Sequence, residues 1–114
     1  MFVQQLSTKD QLLIRECLLA ICNGPFLEDF EFHSRIAVER DVLKKIISYW
    51  PNIDDSDDAS DVALGINNSL NELCYGVSIS AEDWNRWITA PRTEIERVYQ
   101  DWSRLRCRNK TGIR

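Results

Sequence analysis

Much that would betray a chemistry is missing from this 114-residue chain. It has one histidine, His33, and four cysteines with no C-x-x-C pair, so the ligand spacing of a zinc site is absent. Gly24, Gly65, Gly76 and Gly112 are scattered, which leaves no glycine-rich loop to cradle a phosphate. No run approaches the roughly 18 apolar residues of a membrane span, and residues 1–6 lack the basic and apolar regions of a signal peptide. The expected compartment is the cytoplasm, with Cys17, Cys22, Cys74 and Cys107 as reduced and mostly buried thiols. No stretch reads convincingly as a strand.

What is present is helical punctuation. The apolar fraction of 44% and charged fraction of 28% are those of a folded globule, and the length suits one domain. Ser7 caps a predicted helix over 8–22, which Asn23-Gly24-Pro25 stops, with Gly24 expected in a left-handed turn. Leu13, Ile14, Cys17, Ala20 and Ile21 form one face of it; Leu12 and Leu19 lie nearly opposite. Val42, Leu43, Ile46, Ile47 and Trp50 mark a second helix over 40–49, ended by Trp50-Pro51. A third over 58–75 turns Val62, Ile66, Leu70 and Leu73 inward and stops at Gly76. Ser80 caps a short fourth over 81–88, with Ile79 and Trp84 at staple spacing, and Pro91 opens a fifth reaching residue 106 with the stripe Ile95, Val98, Tyr99, Trp102 and Leu105. Residues 25–33 interleave phenylalanines with carboxylates and read as an irregular turn that plugs the bundle end. The expected fold is all-α: a compact single-domain bundle of about five helices over residues 1–114, with an apolar arm (1–6) and a basic tail (107–114).

Charge is unevenly placed. Residues 1–83 carry 6 basic and 15 acidic side chains, whereas residues 84–114 carry 8 and 3. The acidic extreme is Asp54, Asp55, Asp57, Asp58 and Asp61; the basic one is Arg104, Arg106, Arg108, Lys110 and Arg114. The reading preferred is a solvated loop, aided by the dipole of the helix it precedes, and a solvated tail. An EF-hand does not fit, because the sixth and twelfth residues counted from Asp54 are Ala59 and Gly65. No metal and no cofactor is expected.

Catalysis and nucleic-acid binding are both weakly served. His33 has Asp29 and Glu31 near it in sequence but no nucleophile elbow, so it reads as structural. Helices 81–88 and 91–106 have the order of a helix-turn-helix, with Arg92, Thr93, Glu96 and Arg97 toward a groove, yet Glu94 and Glu96 would meet phosphates. The surfaces left for a protein partner are the polar back of the third helix, with Leu64, Asn67, Asn68 and Asn71, and the Leu12–Leu19 stripe. Joined by Phe2, Val3 and Leu6, that stripe would make a patch suited to a two-fold homodimer. The run Gly24-Pro25-Phe26-Leu27-Glu28-Asp29-Phe30-Glu31-Phe32-His33, with Trp50-Pro51, Ile66-Asn67-Asn68 and Trp102, resembles a group of small uncharacterised bacterial proteins. Spanning residues 24–102, the resemblance implies a bacterial origin and carries no activity and no site residue. The function expected is a non-enzymatic interaction module, such as a regulator, adaptor or immunity-type inhibitor. A nucleic-acid-binding regulator is the alternative, and an enzyme centred on His33 comes last.

Overall fold

Six α-helices build the molecule in a computed structural model that describes the backbone of residues 1–112 and the side chains of residues 1–108. They are α1 (Thr8–Asn23), α2 (Asp29–Ile36), α3 (Arg40–Ser48), α4 (Asp61–Asn71), α5 (Ala81–Trp87) and α6 (Arg92–Gly112). A 3-10 turn, Val3–Gln5, precedes α1, and a π turn, Glu72–Gly76, extends α4. Among the described residues there is no strand, so the all-α bundle expected from the sequence is what forms.

The caps explain most boundaries. The hydroxyls of Ser7, Ser60 and Ser80 accept from the amides of Asp10, Ala63 and Asp83, each at 3.1 Å, which satisfies one orphan donor at the start of α1, α4 and α5. The end of α1 differs from expectation. Gly24 is extended, at φ −82° and ψ 175°, and is not left-handed. Its role is steric: a Cβ there would lie 2.5 Å from the Ala20 carbonyl oxygen and 2.8 Å from the Phe26 ring.

The sixth helix, α2, overlaps the expected irregular turn over 25–33 and runs on to Ile36. Phe32 and Ile36 are buried on one side, while Phe30 points outward and is 83% exposed. Phe30 therefore plugs nothing, and only Phe26, half-buried, and Phe32 contribute to the bundle end.

Helix α1 is central, packing against α3, α4, α5 and α6. Besides Leu13, Ile14, Cys17, Ala20 and Ile21 it buries Leu18, a position assigned to neither stripe. Leu19 is half-buried against the core and Leu12 is 58% exposed. The expected N-terminal arm is not an arm. Phe2 and Val3 are buried, so the composite patch with Leu12, Leu19 and Leu6 does not form. Trp84 and Trp102 are buried, and Trp50 and Trp87 are half-buried against the core. The tail expected from residue 107 continues as the last turns of α6; the side chains of Lys110 and Arg114 lie outside the described residues.

Asp55 ties these parts together. Its carboxylate, 0% exposed, accepts from the Phe2 amide (2.8 Å), the Val3 amide (2.9 Å) and the Trp102 indole (2.8 Å). The loop expected to be solvated thus sends one aspartate inward, where three donors replace its water. Asp58 meets Arg106 at 2.9 Å, and Arg106 stacks over Trp102 at 4.4 Å, so acidic loop and basic helix do attract.

Candidate functional site

The Asp55 anchor and the segment before it shape an open apolar feature of the surface. The Gln4 side-chain amide donates to the carbonyls of Pro51 (2.5 Å) and Ile53 (2.9 Å). The Asn52 amide returns to the Tyr49 carbonyl at 2.7 Å, so the short link after α3 has a fixed course. Gly65 lets α4 lie close to α3: a Cβ there would stand 3.1 Å from a Leu43 methyl. Between them runs a trough. One hollow of about 430 Å³ is lined by Val42, Lys45, Ile46, Tyr49, Asn52, Ile53, Asp61 and Val62. A second, of about 440 Å³, is lined by Met1, Gln4, Asn52, Ile53 and Asp54. They share Asn52 and Ile53 in their linings, so they adjoin.

The trough has an apolar floor and charged edges. Val42, Ile53 and Val62 are half-buried, and Met1 and Tyr49 stand 54% and 59% exposed. Asp54 is ionised firmly: hydrogen bonds from the Ser56 hydroxyl and then its amide hold the carboxyl below its usual range. Residues 39–61, which supply most of the lining, hold seven acidic and three basic side chains. Lys45 is the one basic side chain among the lining residues of either hollow, and the Met1 ammonium adds a second positive charge beside Asp54.

The site residues anticipated from sequence are not brought together. Asn68 donates to the Ile36 carbonyl at 2.9 Å, and Asn67 donates to Asn68 while accepting from the Tyr99 hydroxyl at 2.8 Å and from Arg106. These amides bridge α4 to α2 and α6, which is why a helix tolerates several of them. Leu64 is half-buried against the core; only Asn71 is exposed. Leu12 and Leu19, on α1, join no common surface with them.

The other chemical candidates are equally accounted for. His33 is exposed and pairs through Nδ1 with Glu39 at 2.8 Å, rather than with Asp29 or Glu31. Cys17, Cys22 and Cys74 are buried, and Cys107 is exposed in a hollow with Tyr75, Tyr99 and Arg104; none is in a disulfide. Burial pushes the buried thiols up, Cys74 to about 11 with Glu96 adding to the shift, opposite to what a nucleophile needs. Among the described residues no three His, Cys, Asp or Glu side chains gather to hold a metal. Arg97, assigned to a DNA groove, pairs with Asp10 (2.8 Å), Glu94 and Asp101 (2.8 Å), and Asp10 and then Glu94 drive its pKa upward; Arg92 lies over the Trp84 ring at 5.0 Å.

Sequence reasoning missed the trough because its lining falls outside any one stripe. A lone Ile53 between Asn52 and Asp54, and Tyr49 on the flank of its helix, were the available signals. Comparison with known proteins adds no relative: no protein-family model, no curated protein and no solved structure matches the chain.

Proposed function

We propose that this chain is a non-enzymatic protein-interaction module of a bacterial cytoplasm, acting as a regulator, adaptor or inhibitor through the trough beside α3. The observation that carries the reading is the trough itself, an apolar channel with two large side chains more than half exposed at its edges. Water-facing apolar surface of this kind is kept where a partner covers it. The bacterial setting rests on the resemblance over residues 24–102, and the cytoplasmic one on four thiols outside any disulfide. Among the described residues no helix is long and apolar enough to cross a membrane.

The nucleic-acid alternative is disfavoured by occupied cations. A phosphate would have to draw Arg97 and Arg106 away from Asp10, Asp101 and Asp58, which already hold them. Photo-crosslinking in native cells separates the readings. A photoreactive residue at Tyr49 is expected to give a discrete protein adduct that survives nuclease, whereas the same residue at Glu82, exposed on α5, gives none. An adduct that collapses under nuclease, or equal labelling at both positions, overturns the proposal.

A further inference from the structure

We draw no further inference here: the strongest candidate, the hollow on the flank of α6 beside the π turn, lined by Tyr75, Tyr99, Arg104 and Cys107 among others, carries nothing, because its one charged lining residue, Arg104, already pairs with Asp101 and nothing in the structure shows what covers it.

Discussion

Asp54 and Asp55 are neighbours in the chain and sit at opposite extremes of burial. Asp54 is exposed, bonded only to Ser56 two residues on, and looks over the trough. Asp55 is wholly buried and accepts from Phe2, Val3 and Trp102, partners 53, 52 and 47 residues away. The same residue type, in the same loop, faces solvent on one side and serves folding on the other. Local sequence does not separate the two, because what distinguishes them is a set of donors arriving from both ends of the chain.

The largest expected effect follows from removing the inward member. Asp55→Ala leaves two backbone amides and an indole N–H buried without an acceptor, and should cost about 3–5 kcal/mol in urea denaturation. The N-terminal segment should loosen with it, seen as faster hydrogen exchange at Phe2 and Val3. A loss below about 1 kcal/mol would mean that water reaches these donors, and the contrast with Asp54 would shrink accordingly.

The fold was legible where caps and stripes agree, and illegible where they do not. Ser7 and Ser80 announce two of the helices, whereas the Ser60 cap went unread and α4 starts at Asp61 rather than 58; the apolar faces of α1, α3, α4 and α6 are readable from spacing. Helix α2 was hidden for a physical reason. Its N-cap, Glu28, makes no side-chain cap bond, and its C-cap is Ala37 at φ 69°, a left-handed conformation usually announced by glycine. Helix α3 lacks a side-chain cap as well, yet its face of Leu43, Ile46 and Ile47 is strong enough to show it. The candidate site was less legible than the fold. Asn67 and Asn68 looked like a surface because their acceptors and donors (Ile36, Tyr99 and Arg106) lie more than thirty residues away. The trough, conversely, is assembled from three separate stretches that no helical wheel displays together.

A smaller effect checks that reassignment of the asparagines. Tyr99→Phe deletes one hydroxyl that donates to Asn67 at 2.8 Å in a partly buried setting, and should cost about 0.5–1.5 kcal/mol. Crosslinking from Tyr49 should be unchanged, since Tyr99 is on α6 and lines a different hollow. If crosslinking falls while stability holds, the amide back of α4 takes part in docking after all.

The smallest expected effect is on the outward aspartate, and it sharpens the comparison most. Asp54→Ala removes a carboxylate whose folded-state pKa is lowered by Ser56, so any stability it gives is present above the unfolded carboxylate range and is lost as pH falls through the lowered value. The group is fully exposed, however, and its bonds are local and screened. Melts of Asp54→Ala at pH 7 should therefore differ from wild type by no more than replicate scatter, and any difference there should fade as pH falls through the lowered value. A clear loss at pH 7 that disappears in acid would show that charged Asp54, through Ser56, holds the loop in the course that delivers Asp55 to its three donors. The two neighbours would then be one structural device.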